Sequence, residues 1–156
     1  MRWWGVVLAL GSLAVAGAGG YVMFLRADAS GPTAIMRSSD PKILAGGAAL
    51  YRQHCASCHG RNLEGEPNWR TRKPDGTLPA PPHDASGHTW HHRDSVLFQY
   101  TKLGGSQFAR GAFKSAMPGF SGQLSNDEIA QIIAYIKSTW PDRIRERQSA
   151  LTEASK

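Results

Sequence analysis

The chain has two cysteines, and their placement constrains the fold more than any other feature. They stand in Cys55-Ala56-Ser57-Cys58, with His59 directly after the second. On a helical turn, positions i, i+3 and i+4 share a face, so two sulfurs and an imidazole converge on one object. A zinc site calls for a second Cys/His pair at ligand spacing, and a thioredoxin-like motif calls for a βαβ context. Neither is visible in the sequence. The spacing is the attachment signature of c-type haem: Cys55 and Cys58 form thioethers to two vinyl groups, and His59 is the proximal iron ligand. One covalent haem c is the expected cofactor.

The flanks read as helices. "PKILAGGAALYRQHC" precedes the motif, with Pro41 suited to a first helical turn. Gly46 and Gly47 each weaken that helix in isolation by roughly 1 kcal/mol, which makes sense where another helix crosses closely. "LSNDEIAQIIAYIKSTWP", 124–141, supplies the partner. Ser125 and Glu128 form a capping-box pattern, and Ile129, Ile132, Ile133 and Ile136 make an apolar stripe ended by Pro141. "RDSVLFQYTKLGG", 93–105, predicts a third helix with Asp94 as N-cap, Gly104 or Gly105 as C-cap, and Val96, Leu97, Tyr100 and Leu103 on its buried side.

A haem held by one histidine leaves a second axial position. Of the four methionines, Met1 and Met23 lie in an N-terminal apolar run, Met36 in a polar stretch and Met117 in "SAMPGFSGQLS". Met117 is the candidate ligand. It stands 58 residues beyond His59 in a Pro/Gly loop, and thioether ligation raises the reduction potential. A lone methionine in an apolar loop is otherwise ordinary gap-filling core.

CASCHG, then the third helix, then MPGF, then LSNDEIAQIIAYIKSTW together resemble a class I single-haem c-type cytochrome of the membrane-anchored bacterial kind. The resemblance covers about residues 42–140. It implies an all-α cytochrome c fold of three to four helices around the haem. It also implies a crossing of the first and last helices, with Gly47 and Tyr51 against Ile132 and Tyr135. A proline carbonyl, from Pro81 or Pro82, would accept a hydrogen bond from the ligand histidine. The implied role is single-electron transfer between redox proteins such as an oxidase, a reductase or a copper protein, not catalysis. Two alternatives stand beside it. One is a haem subunit of a larger oxidase or dehydrogenase. The other is a haem enzyme with a labile Met117.

Residues 3–25 carry no charge and are long enough to cross a bilayer as a helix. The division expected is an anchor or signal over 1–26, a linker over 27–41, the cytochrome domain over 42–140 and a charged tail over 141–156 that starts as a surface helix. A retained transmembrane helix would place the haem domain at the outer face of a bacterial inner membrane, in the periplasm. A cleaved signal would leave it exported and soluble. The net charge of +6 comes from scattered basic residues, which disfavours nucleic acid and fits an acidic protein partner, anionic lipid or a solvated surface equally.

Four of the six histidines fall in "PPHDASGHTWHHRD", 81–94. Four readings of His83, His88, His91 and His92 compete. They and Trp90 hydrogen-bond the haem propionates, with Trp90 and His91 the leading candidates. They are exposed and do little. Two or three bind copper or zinc. One replaces Met117 on the iron. The long Pro-rich segment 61–92 that carries them is expected to wrap the haem edge in an ordered loop.

Overall fold

The computed structural model describes residues 31–155 apart from Ala112. Six α-helices follow in order: α1 (Pro32–Ile35), α2 (Pro41–His54), α3 (Ala56–His59), α4 (Asp94–Leu103), α5 (Asn126–Ser138) and α6 (Asp142–Glu153). Short 3₁₀ turns lie at Thr89–His91 and Gly105–Phe108. An isolated bridge between Thr77 and Lys114 is the only extended pairing among the described residues. The fold is all-α, as expected, with two short helices beyond those foreseen and with α6 where the sequence reads as a surface helix fading into a tail.

The expected preceding transmembrane helix is corrected. No helix among the described residues is long and apolar enough to cross a membrane. The uncharged run that suggested one, 3–25, lies outside the described residues.

The two long flanking helices start where their caps dictate. Asp40 accepts a hydrogen bond from the Lys42 amide at 2.8 Å, and Pro41 opens α2. Ser125 and Glu128 complete the capping box of α5. The stripe of α5 is the core: Ile129, Ile132, Ile133 and Ile136 are buried, with Tyr51 of α2 and Trp140 packed on them.

The α2–α5 crossing depends on Gly47. A Cβ there would lie 2.1 Å from the Gln131 carbonyl oxygen and 3.0 Å from Tyr135 Cβ. Backbone cannot yield as a side-chain tip can. Gly47→Ala is expected to destabilise the domain by about 3 kcal/mol, the upper end of the overpacking range. Gly46→Ala, which meets only the Gln131 side-chain end, should cost much less. Parallel urea unfolding of the two variants checks the contrast.

Three local expectations change. Asp94 is not the N-cap of α4; Arg93 is, and Asp94 is the first helical residue, with its side chain buried. A long-range cation takes its carboxylate, as described in the Discussion. Leu103, expected on the buried side of α4, is 44 % exposed. Met36 does not hang in a polar linker. It follows α1 and sits in the core, 5 % exposed.

Candidate haem site

The Cys-x-x-Cys-His turn hangs from the end of α2. The Cys55 amide donates to the Tyr51 carbonyl at 2.9 Å, and the Cys58 and His59 amides both return to the Cys55 carbonyl. The Tyr51 hydroxyl donates to the Gly60 carbonyl at 2.9 Å. Gly60 then takes φ +80, a left-handed turn that favours glycine. Both thiols are free, Cys55 half-buried and Cys58 exposed. Burial, followed by the charge of Cys58, pushes the Cys55 thiol up to about 12. That shift disfavours a thioredoxin-like nucleophile here.

His59 is buried and its Nδ1 lies 2.9 Å from the Pro81 carbonyl oxygen. Of the two prolines considered, Pro81 makes this contact. A carbonyl only accepts, so Nδ1 carries the proton and Nε2 keeps its lone pair. Burial lowers the basicity of this imidazole, and the Pro81 bond and the Glu66 carboxylate partly offset that. The result is a neutral, oriented nitrogen donor.

Segment 61–92 is pinned to that turn. The His83 amide donates to the Leu63 carbonyl at 2.8 Å, the Gly65 amide to the His59 carbonyl at 2.8 Å and the Glu66 amide to the Ala80 carbonyl at 2.8 Å. The Glu66 carboxylate accepts from the Ala80 amide in return, at 2.5 Å. That bond, with Lys73 nearby, holds the Glu66 carboxyl below its usual range. Leu63 is buried at φ +70, a strained position for a branched residue. Proline-rich sequence thus becomes an ordered wrap because several of its amides reach backbone and carboxylate partners.

Met117 is clamped on both sides. Its amide donates to Ser115 Oγ at 3.2 Å, and its carbonyl accepts from the Gly105 amide at 3.0 Å. The Tyr100 hydroxyl braces Ser115 at 3.0 Å. Gly104 and Gly119 pack backbone to backbone, since a Cβ on either would lie 2.6–2.7 Å from the other strand of chain. The side chain of Met117 is half-buried on the same core that Cys55, Leu97, Phe98 and Trp90 flank.

The family model for cytochrome c matches residues 44–140. The chain belongs to the cytochrome c family. It carries a single covalently bound haem c, and its work is electron transfer rather than bond chemistry. Among solved structures, cytochrome cL from the marine methylotrophic bacterium Methylophaga aminisulfidivorans MPT is similar, at 23 % identity over 76 % of this chain and 68 % of that one, with a TM-score of 0.49. No curated protein matches the chain.

The residues of this cytochrome fit its haem on two counts. Two free thiols and one neutral imidazole share a single turn. The indole Nε1 of Trp90 is buried with no partner, a donor that needs an acceptor from outside the described protein atoms. The four clustered histidines part company. His83 turns inward and stacks on His59 at 4.0 Å. His88 stacks on Trp69 at 5.4 Å and meets His92 edge-on at 5.5 Å. His91 is exposed and stacks on Trp90 at 3.7 Å, while Arg147 lies 5.2 Å from the Trp90 ring. Among the described residues no three His, Cys, Asp or Glu side chains form a group that could hold a metal ion. The segment's sequence signals did not reveal the His83–His59 stack, which joins a residue of the loop 61–92 to the end of α3.

His88 and His92 are expected to add to the acid sensitivity of the cytochrome. Burial, then the charges of neighbouring histidines, lowers both below the usual value of 6.5. The unfolded chain therefore takes up protons first as pH falls. Their share of stability is complete above about pH 6.5 and is lost as pH drops from there through the lower folded-state values. A His88→Gln/His92→Gln variant is expected to show a flatter fall in urea midpoint between pH 6.5 and pH 5.

Redox proteins are the partners that a cytochrome c implies. Membrane contact through an N-terminal helix, expected from the sequence, is withdrawn for the reason given under the fold, and with it the membrane-anchored location.

Proposed function

We propose that this chain is an exported one-electron carrier whose haem is bound through Cys55 and Cys58 and ligated by His59 and Met117. The observation that carries the reading is the committed Nδ1 of His59. With that atom bonded to Pro81, Nε2 is the free donor of a buried, neutral ring. Met117 is the matching soft donor, held by Ser115 and Gly105 on a loop that glycines press against the end of α4.

The haem supplies the electron exchange, and the protein supplies a fixed coordination shell. Rigid ligands keep reorganisation small, which is what a carrier needs. Trp90 Nε1 is the proposed donor to a haem propionate, and His91, stacked on Trp90, orients the indole. Redox proteins are the proposed donors and acceptors of the electron. Export rests on the uncharged run at 3–25 acting as a secretion signal.

The absorption spectrum of the haem-loaded protein, oxidised and reduced, tests the reading. A low-spin spectrum with the weak far-red band of thioether sulfur on ferric haem is expected. A low-spin spectrum without that band would give the sixth position to another residue. A high-spin spectrum would mean that the iron is open.

A further inference from the structure

We propose that His83 is a positioning residue for His59: its ring, stacked face to face on the His59 imidazole, sets the plane of that ligand. The inference rests on the reading of His59 as an iron ligand. It adds a residue to which neither the haem-attachment motif nor the Met117 loop points.

One hydrogen bond does not orient a ring. The bond from His59 Nδ1 to Pro81 fixes one vector and leaves the ring free to tilt about the Nδ1···O line. A flat partner removes that freedom. The His83 and His59 centroids are 4.0 Å apart with an interplanar angle of 20°.

His83 is able to serve because it is itself held at three points. Its amide donates to the Leu63 carbonyl at 2.8 Å, and its carbonyl accepts from Trp140 Nε1 at 2.7 Å. Its Nδ1 lies 2.8 Å from Thr89 Oγ1. The Thr89 hydroxyl has one proton and gives it to the Pro82 carbonyl at 3.4 Å. With the Thr89 proton on Pro82, His83 Nδ1 is the donor to Thr89. Tyr51 closes the edge of the ring at 6.3 Å.

The result is a closed circuit. Pro81 holds His59, and His59 stacks on His83. His83 is held by Thr89, and Thr89 by Pro82, the neighbour of Pro81. The two ends meet at adjacent prolines. An aromatic face also carries partial negative charge, which favours the more cationic ferric state of a ligand ring lying on it.

Three variants of the full haem-loaded chain test the proposal: His83→Leu, His83→Phe and Thr89→Val. The readouts are the electron paramagnetic resonance g-values of the ferric form, which report the ligand plane, and the reduction potential. His83→Leu keeps apolar bulk and removes the flat face. It is expected to change the g-value spread and move the ferric/ferrous equilibrium about tenfold toward ferrous, or 59 mV for one electron. His83→Phe restores a flat ring and should return both readouts to near wild type. Thr89→Val should broaden the g-features, because the His83 ring is released. Leucine and wild-type proteins with the same g-values and potential would overturn the proposal. So would a phenylalanine variant that behaves like leucine. The far-red band separates the two levels. If wild type and variants all retain it while nothing else moves, His83 has no positioning role and the His59/Met117 reading stands. If wild type itself lacks low-spin histidine ligation, the ligand reading fails first.

Discussion

Met117→Ala is expected to abolish the far-red band, convert the ferric haem from low spin to high spin and lower the reduction potential. The shift should be on the order of 0.1 V or more, within the roughly 0.8 V that axial ligands span. The reasoning is local. Met117 is the single methionine between residues 42 and 140, and its loop offers no neighbouring imidazole to take its place. Ser115 and Gly105 hold its backbone, so removing the thioether leaves the loop standing and the sixth position empty of a protein donor. Met36 provides the control. It is buried in the core beside α1, so Met36→Leu should change stability by about 1 kcal/mol or less and leave the spectrum alone. Absorption spectra and potentiometric titration of the two variants decide the matter. A Met117→Ala protein that kept the band would remove Met117 from the iron.

Asp94→Ala is expected to destabilise the domain by about 3–5 kcal/mol, the cost of leaving a buried charge without its partner. Asp94 Oδ1 accepts from Lys137 Nζ at 2.6 Å and from Gln148 Nε2 at 2.7 Å. Arg37 approaches Oδ2 at 3.9 Å. The Asp94 amide donates to Thr152 Oγ1 at 3.1 Å. One carboxylate thus ties α4 to α5, to α6 and to the segment after α1. Its side chain is 4 % exposed and that of Lys137 is 12 %. Gln148, fully buried, also donates to the His92 carbonyl at 3.1 Å, so the junction reaches the end of the histidine-bearing loop. Urea unfolding of the haem-loaded protein measures the loss. The pair replaced together, Asp94→Leu/Lys137→Met, is expected to recover most of it, because an apolar pair of similar volume removes the desolvation cost along with the attraction. A single Asp94→Ala variant as stable as wild type would show that solvent reaches the site.

The haem motif was legible because covalent attachment imposes a spacing, and a spacing is a property of sequence. The same holds for the α5 stripe and the Ser125–Glu128 box, which follow from helical period and local sterics; the crossing at Gly47 was implied by the resemblance. α6 was less legible. The 142–153 stretch reads as a charged surface helix fading into a tail with no strong apolar face; the helix is there, but Ile144, Gln148 and Thr152 recur every fourth residue and are buried. Two of the three are polar, so a hydrophobic pattern could not reveal them. Asp94 misled for a related reason. Aspartate ahead of an apolar run signals a cap, and only a lysine 43 residues away, brought close by α5, makes the charge pair the better use of it.

By itself the sequence determined the cofactor, the candidate attachment residues, the helical class and the helix pair that frames the site. Those features depend on neighbours within one or two turns, where chain connectivity sets the distances. Tertiary structure alone decided that Pro81 rather than Pro82 orients His59, that His83 turns inward while His88, His91 and His92 do not, and that Met36 belongs to the core. Each of these turns on which loop lies against which. That choice is made by packing free energy summed over the whole domain, and no local pattern encodes it.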